Sequence, residues 1–357
     1  MPGTWLPLRN DPQDEHLRHE SFVGRPLTPE RLAALMETRR ELLEGLDRHP
    51  EWAEREAELF DLLKSVLRVE DLHLLRIDRH TPVTVLDKIV KYEAVHRIQD
   101  TRDLERRLAD DRRCYAFVHP ALPDEPLIFT ELALTRDMSA DAQVLLDSES
   151  RIADPSTCTC AIFFSISSCH EGLKGVSLGN ALIGQVADEL ENAYAGLETF
   201  ATLSPVPGFR AWLMNLGPAG MGGVLSPSAA LALATFERSG WPGEVDPADE
   251  LERELVALCA YYLLRVKRGG EPADSVARFH LRNGARLERI NWLGDTSDAG
   301  MRRAAGMMVN YLYRRNHPRF RYDAATRMHA VNASPPVEWL AGRASTLFSR
   351  SGPLGLG

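Results

Sequence analysis

Several classes of protein are excluded by what the 357-residue sequence lacks. No continuous apolar run approaches the length of about 20 residues that a membrane helix needs, so no membrane association through such a helix is expected. A positive charge excess is missing as well. The 42 Lys and Arg are outnumbered by 51 Asp and Glu, and the formal charge of −9 has the wrong sign for a general nucleic-acid or anionic-membrane binder. Cysteine is scarce and odd in number. Cys114, Cys158, Cys160, Cys169 and Cys259 lie in apolar or strand-like runs, without the spacing of a disulfide framework. Cys158 and Cys160 followed by Cys169 and His170 come nearest to a ligand set, but the paired CxxC-type ligands of a zinc site are absent, so reduced thiols and no metal are expected. Residues 1–23 are charged and Pro-containing where a secretion signal would be apolar, and residues 352–357 spell no peroxisomal address. The expected compartment is the cytoplasm.

What is present is an ordinary globular composition, 44% hydrophobic and 26% charged, enough for one large or two modest domains. Residues 1–27 show no sustained period and read as a partly ordered arm. Thr28 is then a candidate N-cap with Pro29 at the first helical position, followed by one apolar stripe of Leu32, Leu35, Met36, Leu42, Leu43 and Leu46. Residues 50–67 and 83–95 repeat this helical period, so residues 28–98 are expected to be all-helical. From residue 113 the period becomes strand-like: 114–118 and 126–134 read as a hairpin turning at 121–125. A strand at 161–166, a glycine-bearing loop, a helix at 180–194 and a strand at 199–203 form a β-loop-α-β unit, the place to seek function. Beyond it come a short helix at Phe209 and Trp212, a Gly-rich linker at 217–223, and helical stretches at 227–238 and 249–266. The Asn283-Gly284 turn, a strand at 286–293, capping residues 295–297 and a strand at 306–313 follow.

The loop Gly172-Leu-Lys-Gly-Val-Ser-Leu-Gly-Asn180 enters a helix, so it aims backbone amides at any anion that docks there, and a pyrophosphate is the natural guest. Gly175 and Gly179 permit close approach and Lys174 adds charge. A glycine-containing helix entry that binds nothing is the competing reading. The segment resembles the acyl-CoA loop of GNAT acyltransferases, with Lys174, Ser177 and Gly179 at the three marked positions. Farther on, Pro205 and Pro207 follow Ser204 at the end of a strand, with no GxSxG elbow around it and no SxxK in the chain, which argues against a covalent serine hydrolase. A helix-capping Ser204 and a structural His280 remain open on these residues alone.

Taken in order, YEAVH (92–96), HPALPDEPLI (119–128), FFSIS (163–167), the 172–180 loop, TLSPVPGF (202–209), FHLRNGA (279–285), NWLGD (291–295) and MVNYLY (308–313) resemble the malonyl-CoA decarboxylase family. That resemblance implies an α+β fold: an N-terminal arm and all-helical assembly domain at 1–98, then a GNAT-like mixed β-sheet flanked by helices at 99–357, with a helical insertion at about 224–270. It implies decarboxylation of malonyl-CoA to acetyl-CoA and CO2, with Ser204 orienting or accepting and His280 donating the proton to the enolate carbon. It also implies an acyl-CoA site at Lys174, Gly175, Val176, Ser177, Leu178, Gly179 and Asn180. No cofactor is expected beyond the coenzyme A of the substrate, and assembly into a homo-oligomer, dimer or tetramer, is expected through the helical domain. A GNAT-type N-acyltransferase, a methylmalonyl-CoA decarboxylase and a catalytically dead acyl-CoA sensor are the alternatives.

Overall fold

The structure, a computed structural model, describes residues 27–216, 249–313 and 331–350, with a few positions between 225 and 234. The arm at 1–26, the linker at 217–223, most of the stretch at 227–238 and residues 351–357 lie outside the described residues. The contacts divide the chain into two compact units: residues 1–100, 113–131 and 166–188 form the first, and 101–112, 132–165 and 189–357 the second.

In the first unit, helix α1 (Pro29–Gly45) starts as its sequence dictates, with the Thr28 hydroxyl accepting from the Arg31 amide and Pro29 behind it. Its stripe buries Leu32, Leu35, Met36 and Leu42. Helix α2 (Ala53–Val66) buries Leu59, Leu62 and Leu63, and α3 (Val83–Tyr92) buries Val85 and Ile89. The expectation of an all-helical 28–98 is corrected by strand β1 (His73–Ile77), which pairs antiparallel with β2 (Arg112–His119). Five residues, His73-Leu-Leu-Arg-Ile77, are too few to carry a decisive period, and the distant partner makes them a strand. The expected hairpin forms, but β3 (Leu122–Thr135) starts sooner than the Pro and Asp residues suggest, so the turn is tighter. There the His119 ring accepts from the Ala121 amide.

In the second unit, β4 (Cys160–Ser168) begins, and β5 (Thr199–Thr202) pairs parallel with it; between them in the chain comes helix α6 (Leu178–Ala193), which belongs to the first unit up to Asp188. Strand β6 (Ser204–Pro205) continues the line of β5 after a break at Leu203. Further elements are α4 (Thr101–Arg107), α5 (Ala142–Leu146), α7 (Phe209–Asn215), α8 (Asp249–Arg265), the ribbon β7 (Lys267–Arg268) and β8 (Glu271–Pro272), and α9 (Ser275–Arg282). They are followed by β9 (Arg286–Asn291), α10 (Asp298–Ala304), β10 (Met308–Tyr313) and α11 (Pro335–Arg350), which packs on α8. The hydrogen-bonding order of the mixed sheet is β1-β2-β3-β4-β5-β10-β6, with β9 on β10. Ala133, Leu145, Ile162, Phe164, Ala201, Leu203 and Met308 form a dry core on this sheet.

The break in β5–β6 positions the site. Strand β10 pairs antiparallel with both pieces, Leu312 with Ala201 and Val309 with Ser204, without a shift of register. Beside the break, the buried Asn310 amide donates to the Thr202 carbonyl at 2.8 Å and to the Ser139 carbonyl at 2.9 Å. Its own oxygen accepts from Asn291 and Arg289. Every polar atom of that side chain is thus used, as a buried amide requires.

Candidate active site

Alternation along a strand puts Thr202 and Ser204 on one face, and Tyr311 and Tyr313 of β10 likewise share a face. Over them lies α9, whose last turn carries His280. Ser204 Oγ stands 3.0 Å from His280 Nε2 and 2.9 Å from Thr202 Oγ1. The other ring nitrogen, Nδ1, is 2.8 Å from the Tyr313 hydroxyl, and the ring stacks on Tyr311 with centroids 4.5 Å apart. Thr202 Oγ1 also accepts from the Tyr311 amide at 3.3 Å.

Electrostatics fix the protonation states. His280 is fully buried, and burial pushes its pKa down to about 3. The end of a helix favours a cation by about 1 kcal/mol, whereas a shift of this size is worth on the order of 5 kcal/mol, so desolvation wins and the ring is neutral. Burial pushes both Tyr311 and Tyr313 well above the usual phenol range, so each keeps its proton. Two hydrogen arrangements fit the chain Tyr313–His280–Ser204–Thr202. In one, Tyr313 donates to Nδ1, Nε2–H donates to Ser204, and Ser204 donates to Thr202. In the other every bond reverses, and Ser204 donates to an unprotonated Nε2.

The expected acyl-CoA loop belongs to the first unit. Lys174, Gly175 and Ser177 are exposed, Val176 and Asn180 are half-buried, and Leu178 and Gly179 are buried. Gly175 takes a φ of +85°, a left-handed conformation suited to glycine, with Phe60 of α2 next to it. Two of the amides counted on for an anion are used within the loop, Val176 on the Leu173 carbonyl and Leu178 on the Val176 carbonyl. Gly179 and Asn180 lie in the first turn of α6. Residues 175–179 read GxSxG, yet the positive φ falls on Gly175 and not on Ser177, so the strained nucleophile elbow is not built. The buried Arg39 guanidinium anchors the turn before the loop, donating to the Gly172 carbonyl and to Glu56 and lying 4.7 Å from the Phe60 ring centre.

The structure therefore brings Ser204 and His280 together. Reading the sequence missed Thr202, Tyr311 and Tyr313, although a two-residue period in TLS and in YLY was the available signal. The five cysteines are free and buried, and among the described residues no group of His, Cys, Asp or Glu could hold a metal ion.

Comparison with known proteins identifies the family. The sequence profile described as Malonyl-CoA decarboxylase C-terminal domain matches residues 70–346. The chain belongs to the malonyl-CoA decarboxylase family. Among curated members it is 39% identical over 306 residues to "Malonyl-CoA decarboxylase, mitochondrial" of Anser anser anser, covering 79% of this chain and 61% of that one. It is 34% identical to the Rattus norvegicus protein of the same name, over 78% of this chain and 62% of that one. The chain thus spans about three fifths of the length of these curated relatives. Solved malonyl-CoA decarboxylases share the fold. Those from Agrobacterium vitis and Rhodopseudomonas palustris are each 42% identical with a TM-score of 0.79, over 87% of this chain and 76% of theirs. Among the described residues no helix is long and apolar enough to cross a membrane.

Proposed function

We propose that this chain decarboxylates malonyl-CoA to acetyl-CoA and CO2, with Ser204 and His280 as the reacting pair and residues 174–180 as the acyl-CoA loop. The observation that carries the proposal is the 3.0 Å contact between Ser204 Oγ and a fully buried, neutral His280, in a chain of this family. Breaking the bond to the carboxylate sends its electron pair into the thioester carbonyl, leaving an enolate that must be stabilised and then protonated at the α-carbon. A pre-organised donor at the enolate oxygen is worth about 3 kcal/mol and a positioned acid roughly 10²- to 10⁴-fold, so two side chains in a dry site suffice for this chemistry.

The neutral resting state of His280 fits this sequence of events. A malonyl carboxylate about 4 Å from the ring favours the imidazolium by about 4 kcal/mol at an effective dielectric near 20, equivalent to roughly three pKa units. Substrate thus lifts His280 from about 3 towards the range in which it carries a proton during turnover. The imidazolium then protonates the α-carbon as CO2 leaves, and the ring returns to neutral. Ser204 orients the malonyl carboxylate or thioester carbonyl, since its hydroxyl is too weak an acid to supply that proton.

Incubation with malonyl-CoA alone tests the activity. Release of CO2 and acetyl-CoA supports it; turnover that waits for an amine acceptor identifies an N-acyltransferase instead, and tight binding without turnover identifies a sensor. Discrimination against methylmalonyl-CoA rests on one methyl group, worth about 1 to 3 kcal/mol, and is read as a ratio of kcat/KM values. The cytoplasmic assignment belongs to the same proposal and is supported by five buried free thiols, which a reducing compartment preserves. Homo-oligomer formation through residues 1–98 rests on the family resemblance, and light scattering of the full chain tests it.

A further inference from the structure

The backbone segments that carry Ser204 and His280 are both reached by one side chain. Asp274 is 1% exposed, and both of its carboxylate oxygens are engaged. Oδ1 accepts from the amides of Val276 at 3.0 Å and Ala277 at 2.9 Å, capping the helix α9 that ends with His280. Oδ2 accepts from the amide of Gly208 at 3.2 Å, four residues after Ser204. Glycine is needed there: an added Cβ would lie 2.1 Å from the Tyr262 hydroxyl and 3.5 Å from Oδ2 itself. A helix cap by itself asks for one acceptor oxygen, which Ser or Thr supplies without a charge. Asp274 keeps a carboxylate where burial acts against it, raising its pKa in spite of three amide donors.

We infer that Asp274 is a positioning residue for the reaction: its carboxylate ties the segment bearing Ser204 to the helix bearing His280 and so sets the separation of the pair. The inference rests on the Ser204–His280 reading proposed above. At 1.5 Å per residue His280 lies roughly 9 Å along the axis from the cap, so a slip of the capped end is passed along a short rigid rod to the imidazole. Strand β10 holds the far side of the same pair, through the backbone of Ser204 and the hydroxyl of Tyr313. With Asp274 in place, neither partner can shift without breaking a buried hydrogen bond. A misplacement of 1 Å is worth on the order of 100-fold in rate.

Two variants of the full chain test this. Asp274→Ser keeps a capping oxygen and gives up the bond to Gly208; Asp274→Asn keeps the volume and one acceptor oxygen but sets an NH2 donor against the Gly208 N–H, which cannot accept. Each should fold, bind coenzyme A as the unmodified protein does by calorimetry, keep KM for malonyl-CoA, and lose roughly 10- to 100-fold in kcat. A folded variant with unmodified kcat overturns the inference. So does failure of both variants to fold by circular dichroism, which would make Asp274 a stability residue only. Ser204→Ala and His280→Asn are measured alongside: if these turn over normally, the reading of the pair itself fails, whereas their inactivity beside a fast Asp274→Ser defeats the positioning role alone.

Discussion

Acidification from pH 7 to pH 5 should destabilise this protein through His280. Burial holds its pKa at about 3 in the folded chain, against about 6.5 once unfolded. Between those values the unfolded chain binds a proton that the folded chain does not. Stability is therefore full above about pH 6.5 and declines as the pH falls towards 3. Over the interval from pH 7 to pH 5 the linkage amounts to roughly 2 kcal/mol. Replacing the ring by His280→Gln removes this titration and leaves the carboxylates common to both proteins. Urea unfolding at the two pH values gives the double difference, in which any basal destabilisation of the variant cancels. The unmodified protein should lose roughly 2 kcal/mol more than the variant. Equal losses would mean that His280 titrates normally, and would refute both its burial as a neutral ring and the need for substrate to raise its pKa.

Tyr313→Phe removes the hydroxyl 2.8 Å from His280 Nδ1 and leaves a buried ring nitrogen without it, which should lower stability by about 1 to 3 kcal/mol in urea unfolding. Lys174→Gln should raise KM for malonyl-CoA and leave kcat in place, because an exposed charge on the loop contributes to binding before and after the bond breaks. Gly172→Ala places a Cβ 1.9 Å from the Met36 carbonyl of α1 and should lower the thermal midpoint through an overpacking loss of at least 1 to 3 kcal/mol, measured by calorimetry.

Local signals in the sequence translated well into structure. Thr28 and Ser297 cap α1 and α10 because a cap is decided within four residues. Gly284, after Asn283, takes the left-handed conformation that ends α9. Strand β1 was not legible, since its five residues become a strand only by pairing with residues about 40 positions away. Ser204 and His280 could be singled out only through the family motifs, because nothing local says that residues 76 apart in the chain will touch. The residues that tune them were hidden for the same reason: Thr202 precedes Ser204 by two, but Tyr313 reaches His280 from a strand that the sequence places at the far end of this unit.

Strand β10 has a consequence for how the site could be watched. The backbone of Val309 holds Ser204, the Tyr311 amide reaches the Thr202 hydroxyl, and the Tyr311 and Tyr313 side chains hold the imidazole, all within five residues. Opening of that strand, which is paired on both sides, dismantles the reacting pair. Amide hydrogen exchange along 308–313 therefore reports the fraction of molecules competent to react, without substrate and without turnover.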